Sequence, residues 1–182
     1  MLLTVVTVFA LSRANQTARQ LSAIGQSLMQ SQRLAKSISQ AVVGAKQAFS
    51  EVAESSNVLA KNVHGLATGD DELSLNSLGG EFSDDLAAVV PLVDKAKKSA
   101  ETVLSQEKVL TQVNNALRQI NRQSSDMLEI AESISSLKLQ QGAGASEISA
   151  AGQLVMLTQR IGKSSNEFLT SEGVGAEAVF LL

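Results

Sequence analysis

Apolar residues recur every three or four positions along the first third of the chain. Positions 21, 24, 28, 31, 35, 38, 42, 45, 49, 52, 56, 59, 63 and 66 read Leu, Ile, Leu, Ser, Ala, Ile, Val, Ala, Phe, Val, Ser, Leu, Val, Leu. Only Ser31 and Ser56 interrupt the stripe, and a mean spacing of 3.5 is that of a helix burying one face. The stripe keeps its phase across Gly44. That favours one continuous helix over residues 14–66, roughly 80 Å long at 1.5 Å per residue, against two shorter helices turning at Gly44.

Residues 67–82 break the pattern with Gly69, Gly79, Gly80 and the cluster Asp70-Asp71-Glu72, and predict a loop. Ser83 then stands as an N-cap, with Asp84 and Asp85 in the first turn where carboxylates suit the helix dipole. Pro91 lies beyond the first turn and predicts a kink or restart. From Val93 to Leu139 there is neither Gly nor Pro. A stripe of Val103, Leu110, Val113, Leu117, Ile120, Met127, Ala131 and Ile134 continues the helical period, and a break between Ser99 and Gln106 would leave no trace in composition. Gly142 and Gly144 mark the next turn. Ser146-Glu147 opens a last helix with Ile148, Ala151, Val155, Thr158, Gly162, Ser165 and Leu169 in the stripe, ended by Gly173-Val-Gly175.

This pattern predicts an all-α protein, an antiparallel up-and-down bundle of long helices. Residues 13–140 form a first module, and residues 146–182 the first helix of a second, truncated one. Residues 1–12 are almost wholly apolar but shorter than the ~20 residues of a span. A signal peptide would carry a charged start and an Ala-x-Ala cleavage site, both missing. The end of a transmembrane helix is the preferred reading, with Arg13 where the chain leaves the bilayer.

Composition agrees with helices. Apolar residues make up 44% and aromatics 3%, with no Trp, Tyr or Cys, which offers little to a β-sandwich or a doubly wound sheet. A net charge of −3 gives no basic field for nucleic acid. No Ser/His/Asp set, phosphate loop or catalytic carboxylate pair stands out, so the chain is not read as an enzyme and implies no cofactor. His64 is the only His and lacks Cys partners for a metal. Asp70, Asp71 and Glu72 lack the spacing of a calcium loop and read as a solvated loop. Met29 and Met156 read as packing residues, with an interface use open.

The chemistry lies in a repeat. Gly25-Gln-Ser-Leu-Met-Gln-Ser-Gln-Arg-Leu-Ala-Lys-Ser37 returns as Gly152-Gln-Leu-Val-Met-Leu-Thr-Gln-Arg-Ile-Gly-Lys-Ser164, an offset of 127 residues, and a long-period self-match marks a duplicated structural unit. With 21, 28 and 35 as heptad position a, Gln26, Arg33, Gln40 and Gln47 fall at f, opposite the stripe, and Met29 and Lys36 at b. A solvated face is the simple reading, yet such a face has no reason to repeat its residue types. The alternative is that two subunits meet along it and paired Arg33 guanidiniums hold a small planar anion.

Gln30-Ser-Gln-Arg-Leu-Ala-Lys36 and Thr158-Gln-Arg-Ile-Gly-Lys163 resemble the motif of PilJ-type sensor domains of type IV pilus chemotaxis transducers. The first copy is also similar to the first-helix motif of nitrate-sensing kinases and chemoreceptors. In those relatives an arginine from each subunit holds nitrate at the dimer interface; the resemblance gives that role to Arg33, with Gln30 and Gln32 as neighbours. The candidate ligand-binding set is Arg33, Gln30, Gln32, Met29 and Lys36, with Arg160 in the second copy. The resemblance implies a homodimeric periplasmic sensor region of a methyl-accepting chemotaxis protein. It would be anchored in the inner membrane by flanking transmembrane helices and would control twitching motility and surface sensing. A nitrate-type anion sensor, a pilin-binding module using the 67–82 loop, and a structural coiled-coil spacer remain the alternatives.

Overall fold

The computed structural model describes residues 2–170. Five helices follow in order: α1 (Leu2–Val42), α2 (Lys46–Thr68), α3 (Ser83–Ser105), α4 (Glu107–Gln140) and α5 (Ala145–Thr170), with a 3-10 turn at Gly80–Phe82 before α3. The protein is an all-α helical bundle, as its periodicity predicts. The expected helix end at Gly173–Gly175 and the apolar tail lie outside the described residues. Among the described residues no helix is long and apolar enough to cross a membrane.

Gly44 is a turn, which corrects the expectation of one helix over 14–66. Its φ is +81°, a left-handed conformation that favours glycine. Gly44 N–H donates to Ala41 O at 2.8 Å and Ala45 N–H to Gln40 O at 3.0 Å, closing α1. A Cβ at Gly44 would stand 2.3 Å from Leu110 O and 2.6 Å from Asn114 Cβ, so α4 passes directly over the bend. The stripe keeps its phase across Gly44 although α1 and α2 fold back antiparallel: near the bend its members Ile38, Val42, Ala45, Phe49 and Val52 share one core.

α2 is the central helix. Val52 is fully buried, and Phe49, Leu59 and Val63 join Leu34 and Ile38 of α1 and Val93 and Ala100 of α3 in the main cluster. Each Val, Leu, Ile or Phe among them is worth about 1.5–3 kcal/mol of burial. The α1 stripe needs a second correction. The row that α2 covers is Ala23, Gln30, Leu34, Ser37 and Ala41, whereas Leu21, Ile24 and Leu28 of the expected stripe are exposed. Periodicity reveals that a face must be covered but not by what; α1 carries two adjacent rows, and α2 takes the one richer in small and polar residues.

Loop 69–82 folds back on α1. Leu75 pairs with Asp70 in a short antiparallel bridge, and Leu75 joins Ala23 and Leu66 in a second, smaller cluster. Gln20 Nε2 donates to Asn76 O at 3.0 Å, and Arg19 Nη1 to Ser74 O at 3.4 Å. Ser83 is the first helical residue and not a cap; Phe82 holds the N-cap position without a side-chain bond, and Asp84 and Asp85 occupy the first turn as expected.

α3 runs through Pro91 without restarting. Pro91 and Ala87, one turn earlier, are both exposed, so the ring meets a small side chain and the freed carbonyl faces water. The break falls at Gln106, with φ −97° and ψ 3° and its N–H donating to Val103 O at 3.1 Å. α4 then passes the Gly44 bend, where Asn114 Nδ2 donates to Val43 O at 2.6 Å. Beyond it α4 turns through Gly142 and packs antiparallel against α5. The α5 stripe faces α4 as expected, with Ala151, Thr158 and Ser165 buried. The α4 stripe does so only in part: Leu117 and Ala131 lie in its covered row with Asn114, Asn121, Ser124 and Leu128, and Val103 and Leu110 pack on the main core, whereas Val113, Ile120, Met127 and Ile134 are exposed.

Candidate functional site

The first motif copy lies on the middle of α1, rigid because α2 packs along it. Arg33 is partly covered, and its Nη2 stands 3.3 Å from Glu54 Oε2 and its Nε 4.0 Å from Glu51 Oε2. Glu51 and Glu54 are three apart on α2, hence on one helical face. The guanidinium expected to hold an anion therefore faces two carboxylates of its own chain. Such half-exposed pairs are worth about 0–1 kcal/mol, so they offer a competitor that an anion must displace.

The remaining residues of the first copy do not converge on Arg33. Gln30 points into the α1–α2 interface at 7% exposure, and its Oε1 has no hydrogen-bond partner among the described residues. Ser55 Oγ, on the facing helix, is likewise buried and unpaired; a polar atom left so costs about 1–3 kcal/mol. Met29, Gln32 and Lys36 are exposed. At spacings of three and four they share an outward row beside bare Leu21, Ile24 and Leu28. Gln26, also expected on the solvated face, is exposed yet accepts a bond from buried Asn62 Nδ2 at 3.2 Å.

In the second copy Arg160 is exposed and, among the described residues, has no ion-pair partner. It borders an open groove of about 470 Å³ with Leu117, Leu157, Ile161, Ser164 and Ser165. Gln159 and Lys163 turn to the other side of the α4–α5 hairpin, where Asn121, Ser125 and Asn166 line a polar groove of about 360 Å³. The two copies thus share a sequence but not an environment: α1 is covered by α2 on one row, and α5 by α4 on another.

Other polar groups act as ties. His64 Nε2 and Asp94 Oδ1 are 2.8 Å apart and link α2 to α3. The Glu72 carboxylate bonds the Lys61 ammonium and raises its pKa, holding the loop to α2. Lys138 Nζ donates to Glu147 Oε2 at 2.8 Å across the α4–α5 turn, and that bond lowers the Glu147 carboxyl. No cluster of metal-ligating side chains occurs among the described residues.

Sequence reasoning missed two features. A cleft of about 170 Å³ between α1, α2 and the loop is lined by Arg19, Ser22, Gln26, Asn62, Leu73 and Leu75, and depends on a loop fold that composition cannot show. Asn114, which ties α4 to the bend, left a readable trace: Asn114, Asn121 and Ser124 fall at heptad spacing beside the apolar row.

The match to known families covers α1, α2, α3 and the start of α4. The family described as the type IV pili methyl-accepting chemotaxis transducer N-terminal region matches residues 9–119. No curated protein matches the chain. The match spans the α1–α2 hairpin, its loop, α3 and the stretch of α4 that seals the Gly44 bend, more than half of the sequence. The chain belongs to the family of type IV pilus methyl-accepting chemotaxis transducer N-terminal domains.

Proposed function

We propose that this region is the periplasmic sensor of a type IV pilus chemoreceptor, working as a homodimer and passing a signal across the inner membrane to control twitching motility. The observation that carries the reading is α1 itself. One unbroken helix runs from Leu2 past Arg13, through the repeated motif, to Val42. A change in packing at the motif is thereby communicated along the helix towards its apolar start. The bare row of Leu21, Ile24 and Leu28 beside Met29 is the surface on which a second α1 would pack. Small displacements of helices at subunit interfaces are an established way of switching, and a stimulus acts by binding one packing better than the other.

Topology is tested in intact cells with the full-length receptor carrying Ser77→Cys in the exposed loop, in a background where any other cysteines are replaced. A membrane-impermeant maleimide should label it; protection until the cells are lysed would overturn the periplasmic placement.

A second reading is favoured by Arg160, exposed and without an ion-pair partner among the described residues: the chain binds a small oxyanion of the nitrate kind, with the second-copy guanidinium as its first contact and Ser164 beside it in the groove. Arg33 serves this role less well while Glu51 and Glu54 face it. Titration calorimetry with nitrate, nitrite and other small anions should show binding that Arg160→Ala abolishes and Arg33→Ala weakens less. Absence of heat with a folded protein would refute anion binding and favour contact with pilin.

A further inference from the structure

The cleft between α1, α2 and loop 69–82 has walls from three parts of the chain that are fixed to one another. Asp70 and Leu75 exchange both backbone bonds at 2.9 and 2.8 Å, and Leu78 N–H donates to Leu66 O at 2.8 Å. Gln20 Nε2 ties Asn76 O to α1. Gly65 sets the closeness of the loop to α2, since a Cβ there would stand 3.1 Å from Asp70 Cβ and 3.3 Å from Leu75 Cδ1. The walls are therefore set before any ligand arrives, and preorganisation removes part of the cost of binding.

The α1 wall carries the polar groups in a row. Arg19, Ser22, Ala23 and Gln26 stand at spacings of three and four, on one helical face. The guanidinium lies at one end of the cleft and the Gln26 amide two turns away, with the Ser22 hydroxyl between them. Asn62 of α2 is 3% exposed and donates Nδ2 to Gln26 Oε1 at 3.2 Å. That bond fixes the Gln26 amide and leaves its Nε2 hydrogens as donors. Ala23, Leu73 and Leu75 supply the apolar wall.

Charge narrows the choice of ligand. Among the described residues Arg19 is the one charged side chain that lines the cleft. The nearby acids of the loop are engaged elsewhere: Asp70 Oδ1 accepts from Leu73 N–H at 2.9 Å, and Glu72 bonds the Lys61 ammonium. Arg33 faces Glu51 and Glu54, whereas Arg19 has no ion-pair partner among the described residues. Its Nη1 donates to Ser74 O at 3.4 Å, a long bond to a neutral acceptor that a carboxylate outcompetes. With no carboxylate in the lining, the ammonium of an amino acid would enter unpaired. At about 170 Å³ the space is smaller than the ~300–1,000 Å³ of pockets for drug-sized ligands.

We infer that the cleft binds a short-chain carboxylic acid with a hydrogen-bond acceptor at its far end, a hydroxy acid or a dicarboxylate. The first carboxylate pairs with Arg19 beside the Ser22 hydroxyl, the carbon chain lies against Leu73 and Leu75, and the far oxygen accepts from the Gln26 amide. Such a molecule ties α1 to the loop that follows α2. The inference does not rest on the periplasmic placement, nor on anion binding at Arg33 or Arg160.

Succinate, malate and lactate are titrated by calorimetry into the purified chain, with alanine as the zwitterionic comparison. The inference requires saturable binding of at least one of the three acids and none of comparable strength for alanine. Arg19→Gln should weaken that binding roughly tenfold or more, the loss expected for a hydrogen bond between charged groups. Ser22→Glu tethers a competing carboxylate three residues from Arg19 and should abolish it. Both positions are exposed, and circular dichroism shows whether each variant is folded. Arg122→Gln, on α4 away from the cleft, should leave binding unchanged. In NMR spectra of the unaltered chain, the acid that binds should move the side-chain amide signals of Gln26 and Asn62. Binding that survives both α1 variants, or that Arg160→Ala abolishes instead, would overturn the inference. Absence of heat with all three acids at millimolar concentration would overturn it as well, as would unmoved amide signals.

Discussion

Gly44→Ala tests the bend on which the first three helices depend. Gly44 has φ +81°, and holding an alanine there costs about 1–2 kcal/mol. The new Cβ would also lie 2.3 Å from Leu110 O, a backbone atom that cannot rotate aside, so α4 must lift from the bend. Lifting α4 breaks the 2.6 Å bond from Asn114 Nδ2 to Val43 O in a place where Asn114 is almost fully buried, a further loss of about 1–3 kcal/mol. The sum is about 2–5 kcal/mol, and at about 2–4 °C per kcal/mol for a chain of this size the midpoint should fall on the order of 10 °C. Thermal melting by circular dichroism measures it. Gly25→Ala is the control, because a Cβ at Gly25 meets nothing and should raise stability by about 0.5–1 kcal/mol as an ordinary helix substitution. A Gly44→Ala protein melting within about 2 °C of the unaltered chain would refute the turn and its seal by α4.

Two further outcomes follow from the α4–α5 hairpin. Gly162→Ala places a Cβ 3.5 Å from Ser124 Cβ, an ordinary contact, so helix propensity decides and stability should rise by about 0.5–1 kcal/mol; a fall in the melting midpoint would mean that the helices approach more closely than described. Glu147, lowered by its bond from Lys138, supports the turn above the ordinary glutamate value of about 4.3. That support is lost as pH falls through the lower folded value. An NMR titration should place the Glu147 midpoint below that of the same residue in Lys138→Ala, and equal midpoints would dismiss the clip.

The fold class was legible because helical periodicity without competing strand signals leaves few alternatives. The α5 stripe was legible too, since one partner covers it and its small residues admit close packing. Gly44 was misread for a reason intrinsic to hairpins: two antiparallel helices that share a core can keep a common heptad phase, and phase carries no information about direction. The α1 stripe before residue 31 and the outer half of the α4 stripe were misassigned because each helix bears a second row, less apolar, that its neighbour within the chain covers, whereas Ile38 and Val42 on α1 and Leu110, Leu117 and Ala131 on α4 are covered as expected. Ala23, Gln30 and Ser37 on α1 and Asn114, Asn121 and Ser124 on α4 are those rows. The apolar rows beside them are bare, and a search for core positions mistakes an uncovered face for a buried one. Arg33 was found by the repeat, but Glu51 and Glu54 lie on a helix whose alignment with α1 depends on the bend, so their pairing could not be read.

The account makes α1 both the sensing surface and the conduit to the membrane, and a motility assay on the full-length receptor addresses that claim most directly. Ile24→Glu with Leu28→Glu places two charges on the bare row without touching the α1–α2 core. Cells carrying this receptor at normal membrane levels should lose twitching, whereas the same pair of charges at Arg122 and Ser125, on the polar side of the hairpin, should leave it intact. Normal twitching with both charges on α1 would contradict the account.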